Sequence, residues 1–91
     1  MKEDFNMEER TYIIKDELGI HARPAGLLVK EASKFQSDVK IKAGNREADA
    51  KRLFSIMGLG IKKGDSVSIT ANGADELEAI AAMVSFFETN L

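Results

Sequence analysis

The 91-residue chain carries 13 Lys and Arg against 15 Asp and Glu, a formal net charge of -2, with one histidine and no cysteine. That length makes one small domain. The absence of cysteine excludes disulfides and thiolate metal sites, and the faintly acidic balance gives no support to a nucleic-acid-binding surface.

The elements follow in chain order. Met1 to Glu9 is acidic and unpatterned and reads as a flexible leader, with Met7 as an alternative start. The single domain is therefore expected over residues 10–91. The leader lacks the apolar core of a signal peptide, and no apolar run in the chain approaches a membrane span. A cytoplasmic protein is expected, without direct membrane insertion.

Thr11 to Lys15 is β-branched and aromatic and reads as the first strand, with Tyr12 and Ile14 on one face. Asp16 to Ile20 is a connecting loop, in which Gly19 is free to take an unusual backbone angle. The stretch Gly19-Ile20-His21-Ala22-Arg23-Pro24-Ala25 comes next. Proline suits the first turn of a helix, where its missing N–H goes unused. His21 thus falls at the mouth of a helix, among N–H groups that lack intrahelical partners and favour an anion. Arg23 adds a fixed charge with planar donors that fit phosphate oxygens. A titratable ring nitrogen, an anion site and an arginine within three residues read as a histidine that carries phosphate.

The helix itself is expected over residues 22–35. Ala25, Leu28, Val29, Ala32 and Phe35 recur at i, i+3, i+4, i+7 and i+10, one apolar stripe. Asp38 to Lys42 alternates as a half-buried strand, Gly44-Asn45 is a tight turn, and Arg46 to Asp49 returns as a short charged strand suited to a sheet edge. Arg52 to Met57 is a helix of about one and a half turns ended by glycine. It carries more apolar side chains than one face can bury. Of Leu53, Phe54 and Met57, at least one is expected inside and one outside, where exposed apolar groups mark a partner surface. Asp65 to Thr70 alternates as the last strand. Ala74 to Glu88 is the final helix, with its stripe on Leu77, Ile80, Ala81, Val84 and Phe87 and with Asp75 and Glu76 favourably placed in the first turn.

The order β-α-β-β-α-β-α predicts an α+β fold: an open-faced β-sandwich, one four-stranded antiparallel sheet with three helices on one face and water on the other. Here the residues resemble the HPr family, the histidine-containing phosphocarriers of the bacterial phosphoenolpyruvate-dependent sugar phosphotransferase system. The likeness runs from about Met7 to the C-terminus. It rests on Gly19 to Ala25, Lys30-Glu31-Ala32, Leu59-Gly60-Ile61 and Gly73-Ala74-Asp75-Glu76. It implies the same open-faced sandwich. It also implies a stoichiometric carrier, rather than a turnover catalyst, that takes phosphate from enzyme I onto His21 Nδ1 and passes it to IIA proteins or domains of sugar permeases. Arg23 would steady the phosphate. Ala22, Gly26 and Lys30 on the first helix, and Leu53, Phe54 and Met57 on the short one, would meet the partners. The implied protein is a monomer and needs no cofactor.

One position departs from the family. Many members carry a regulatory phosphoserine at the start of the short helix; the gapless register puts Arg52 there, and Ser55, three residues on, is a weak candidate in its place. Arginine is also a poor N-cap.

Other chemistry finds little footing. One histidine without cysteine leaves no metal ligand set, and no nucleophile-elbow pattern supports a serine–histidine–acid triad. RNA binding needs exposed aromatic residues on the sheet and basic charge, and the sequence offers neither. The alternatives kept beside the sugar-system carrier are an HPr-like regulatory docking module and a nitrogen-branch phosphocarrier.

Overall fold

The structure, a computed structural model, describes residues 7–91. Seven elements follow in order: β1 (Glu8–Ile13), α1 (Ala22–Ala32), β2 (Asp38–Ala43), β3 (Arg46–Asp49), α2 (Leu53–Met57), β4 (Ser66–Asn72) and α3 (Glu76–Asn90). The strands form one antiparallel sheet in the order β1-β4-β2-β3. The three helices cover one face, so the expected open-faced sandwich is the fold.

Alternation decides which side of each strand faces the helices. Val39 and Ile41 of β2, and Val67, Ile69 and Ala71 of β4, are buried. Their neighbours in sequence form cross-strand rows on the open face. One row runs Glu9, Thr70, Lys40, Asp49 and the next Thr11, Ser68, Lys42, Glu47. Opposite charges and hydroxyls meet along these rows, which stabilises pairing without apolar contact. Gly44, at a φ of 64°, makes the two-residue corner between Ala43 and Arg46. The edge strands β1 and β3 both bear charge, Glu8, Glu9 and Arg10 on one and Arg46, Glu47 and Asp49 on the other, as an open sheet edge requires.

Four expectations are corrected. First, β1 begins at Glu8, not at Thr11. Glu8 and Glu9 pair with Ala71 and Thr70 and so belong to the sheet rather than to the expected leader; the leader's residues 1–6 lie outside the described residues. An edge strand is held by its main chain and needs no apolar signal in its first residues. Second, α1 ends at Ala32, and Phe35 lies in the turns that follow; Lys34 and Phe35 donate their N–H groups to Glu31 and Ala32 in i→i+3 fashion. Third, the buried side of α3 is Ala79, Ile80, Met83 and Phe87, whereas Leu77 is 63% exposed and Ala81 is exposed. Leu77, Ala81 and Val84 instead flank an open groove beside Arg10 of β1. Fourth, none of Leu53, Phe54 and Met57 is buried; Ile56 alone anchors α2. A helix of five residues has a single inward position.

The core joins Phe87, Ile14, Leu28, Ile41, Ile56, Ile69, Met83, Val39 and Val67. Each such side chain contributes about 1.5–3 kcal/mol by leaving water. Tyr12 of β1 meets Phe87 edge to face, with ring centroids 5.6 Å apart.

Asp75, the residue before α3, ties that helix to the entry of β2. Its carboxylate accepts hydrogen bonds from the Ser37 hydroxyl and from the backbone N–H groups of Gln36 and Ser37, both at 2.9 Å. The Ser37 hydroxyl first, and then the Gln36 N–H, hold the carboxyl below its ordinary value. A depressed carboxylate contributes stability that is present above the unfolded-state value, about 4, and is lost as pH falls through the lower folded value. Urea unfolding across pH 2 to 7 is expected to show that acid-side loss in the wild type and a shallower one in Asp75→Asn. Identical acid limbs would remove Asp75 from the account.

Candidate functional site

His21 is the residue before α1. Its backbone is extended, at φ -100° and ψ -174°, and its carbonyl accepts the Ala25 N–H at 2.9 Å, closing the first turn. Its side chain makes no capping bond, so the ring is not spent on the helix. Pro24 is buried in the first turn, where it lacks only a donor that would go unused. The first turn contains no acidic residue. Its partial positive charge therefore stays available to an anion.

The loop that follows β1 approaches the ring. Asp16 donates its backbone N–H to the Leu91 carbonyl at 2.8 Å and accepts the Gly19 N–H on its own carbonyl at 3.0 Å. One carboxylate oxygen, Oδ1, accepts the Leu18 N–H at 3.2 Å, an Asx turn. The other, Oδ2, stands 3.7 Å from His21 Nε2. The His21 side chain remains 39% exposed, open enough for a partner to reach.

Asp16, His21, Arg23, Pro24, Leu27 and Asn90 line a cleft of about 230 Å³. That is below the roughly 300–1,000 Å³ of a typical small-molecule pocket. It suits a small group delivered by another molecule better than an enclosed metabolite. Arg23 is exposed and, among the described residues, has no carboxylate in ion-pair range. Its guanidinium is free to take up phosphate oxygens.

The remaining expected positions fall in two exposed groups. Ala22, Gly26 and Lys30 are exposed on α1, together with Leu27 at the cleft. Leu53, Phe54 and Met57 are exposed on α2, which packs against α1; Phe54 is the most open, at 83%. Arg52 precedes α2 with extended backbone, makes no side-chain cap and lies 3.8 Å from Asp49 through its Nε. Ser55 sits exposed in the middle of α2. No group of three or more His, Cys, Asp or Glu among the described residues is placed to hold a metal.

Sequence reading passed over Asp16, Leu27 and Asn90. The Asp-x-x-Gly turn from Asp16 to Gly19 was a usable local signal for the first. Asn90 had none, because α3 carries it to the cleft from the far end of the chain.

Comparison with known proteins agrees with the fold. The family model described as "PTS HPr component phosphorylation site" matches residues 8–89. The phosphocarrier protein HPr of Mycoplasma genitalium is 46% identical over 85 residues, which span 92% of this chain and 97% of that one. The crystal structure of HPr-C-His from Thermoanaerobacter tengcongensis superposes with a TM-score of 0.86 at 44% identity, covering 90% of this chain and 92% of that one. An HPr dimer from the same organism gives a TM-score of 0.73 at 43% identity over 98% of this chain and 95% of that one.

Proposed function

The chain belongs to the HPr family of phosphotransferase-system phosphocarriers, and from that premise we propose that His21 is its phosphoacceptor and Arg23 the group that steadies the phosphate. The observation that carries this reading is the cleft: a half-exposed imidazole at an acid-free helix start, beside an arginine that has no carboxylate partner among the described residues. Nε2 faces Asp16, so Nδ1 is the nitrogen offered to phosphorus. A neutral imidazole nitrogen is a competent nucleophile near neutral pH. The transfer itself asks for alignment and charge stabilisation more than for covalent assistance. Arg23 and the free N–H groups of the first turn supply these from an exposed surface, so the phosphate is held weakly enough to be passed on.

The donor is enzyme I, the acceptors are IIA proteins or domains of sugar permeases, and the work is done in the cytoplasm. No helix of the described residues is long and apolar enough to cross a membrane. The charged edge strands support a monomeric carrier, although an HPr of Thermoanaerobacter tengcongensis forms a dimer. A curated relative named as a phosphocarrier favours transfer over docking alone and leaves the nitrogen branch without support of its own.

Incubation with phosphoenolpyruvate, magnesium and enzyme I, followed by intact-mass measurement at mildly alkaline pH, tests the carrier role. One added phosphate, lost in acid, is the expected result. No added phosphate, with enzyme I active on another carrier, would overturn it.

Partner docking falls to α1 and α2. A few large side chains, aromatic ones prominent among them, commonly dominate an interface. Phe54→Ala is expected to weaken binding to enzyme I by about tenfold or more. Its thermal stability should stay within about 0.5 kcal/mol of the wild type, as for most surface substitutions. Parallel binding and melting curves decide the matter: a matching loss of stability would make Phe54 part of the core.

A further inference from the structure

We propose that Asp16 is a positioning residue that holds the His21 ring with its proton on Nε2, so that Nδ1 presents a lone pair to phosphorus; the proposal rests on His21 being the phosphoacceptor. The geometry is built for one task. Three hydrogen bonds fix Asp16: its N–H to Leu91, its carbonyl to Gly19 and its Oδ1 to Leu18. The oxygen left over, Oδ2, is the one that faces Nε2. Among the described residues it is the only carboxylate in ion-pair range of the ring. Asn90, the other polar neighbour from outside α1, has its amide nitrogen committed to the Phe86 carbonyl at 3.1 Å. At 3.7 Å the Asp16–His21 contact is an electrostatic approach, about 0.8 Å longer than a hydrogen bond. Contacts of this kind tighten when the reacting complex forms.

The neutral ring has one donor and one acceptor nitrogen, and the partner of one fixes the state of the other. An acceptor at Nε2 selects the Nε2–H tautomer; a donor there would select the reverse and leave Nδ1 protonated and inert. In the forward step, the Nδ1 lone pair forms the new N–P bond. The bond from phosphorus to the donor breaks, and its electron pair leaves with the donor. The Nε2 proton stays in place throughout. The ring thereby becomes cationic, and the Asp16 carboxylate faces the nitrogen that keeps the proton. On release to the next acceptor, the N–P pair returns to Nδ1 and the ring is neutral again.

Asp16→Asn and Asp16→Ser both keep an acceptor for the Leu18 N–H and remove the anionic oxygen that faces Nε2. The ring nitrogens of ¹⁵N-labelled His21 are to be read by NMR at alkaline pH, alongside the rate of phosphorylation by enzyme I. The wild type is expected to show Nε2 protonated and Nδ1 unprotonated. Folded variants should shift toward a mixture and lose on the order of tenfold in rate, the scale on which partners that orient a histidine act. Unchanged ring signals in both variants, or unchanged rates, would overturn the proposal. A wild type that takes no phosphate would overturn the carrier reading, and this proposal with it. A wild type phosphorylated no faster than the variants overturns the role of Asp16 alone.

Discussion

His21→Ala takes up no phosphate from enzyme I and keeps its fold: that is the expected result, and the local structure explains why both halves hold together. The side chain makes no helix-capping bond, and 39% of it is exposed. The capping contact at this helix start comes from the His21 carbonyl, which alanine retains. Among the described residues, Asp16 is the one carboxylate in ion-pair range of the ring; it stands at 3.7 Å and is held by other hydrogen bonds. Removing the ring therefore leaves no buried donor or acceptor stranded, and stability should change by no more than about 0.5 kcal/mol. The chemistry, by contrast, has no substitute. The chain contains no second histidine and no cysteine. Mass spectrometry after exposure to phosphoenolpyruvate and enzyme I should show a single added phosphate on the wild type and none on the variant. Acid-labile phosphate persisting on folded His21→Ala would remove His21 from the role and leave Arg23 without one.

Much of this arrangement was legible because its causes are local. Val39 and Ile41, or Val67 and Ile69, declare their face by alternation, and the folded sheet buries them. His21, Arg23 and Pro24 lie within four residues, so their spacing alone places them at one helix start. What escaped was decided at long range. Residues of α3 are apolar over much of its circumference, with Leu77, Ala81 and Val84 competing with Ala79 and Met83 for the inward side. The choice is made by docking against the sheet and α1, which periodicity cannot see. The charged residues Glu8 and Glu9 look like part of a leader, yet pair with β4 through their main chain. At the cleft, Asp16 acquires meaning only when its loop folds back over the ring, and Asn90 only when the last helix returns to the first. In α2 the surplus of apolar residues was plain, but its division was not. Ile56 takes the sole inward position, and the three flanking apolar side chains remain exposed.

Gly19→Ala is expected to cost on the order of 3 kcal/mol or more in folding stability and to slow phosphorylation of His21 as well, because the same glycine supports both. Gly19 has a φ of 67°, a left-handed conformation that other residues adopt at a penalty. It also leaves no room. A Cβ at this position would lie 2.2 Å from the Ile61 carbonyl oxygen and 2.7 Å from the Lys62 Cα, and backbone cannot swing aside as a side-chain tip can. Relief requires the loop from Asp16 to Ile20 to lift away from the segment around Ile61. That movement pulls on the hydrogen bond from the Ile20 N–H to the Ile61 carbonyl, 3.2 Å long, and unseats two buried side chains, Ile20 and Ile61. It also displaces the turn closed by the Gly19 N–H on the Asp16 carbonyl, which holds Asp16 opposite the His21 ring. For a domain of this size the loss corresponds to a fall in Tm of more than about 10 °C. Thermal melting reads the first effect. The phosphorylation rate, measured well below the lowered Tm, reads the second. A folded variant with a normal Tm would mean that the loop and the Ile61 segment are free to separate. A lowered Tm with a normal rate would mean that the cleft does not depend on this contact for the position of its histidine.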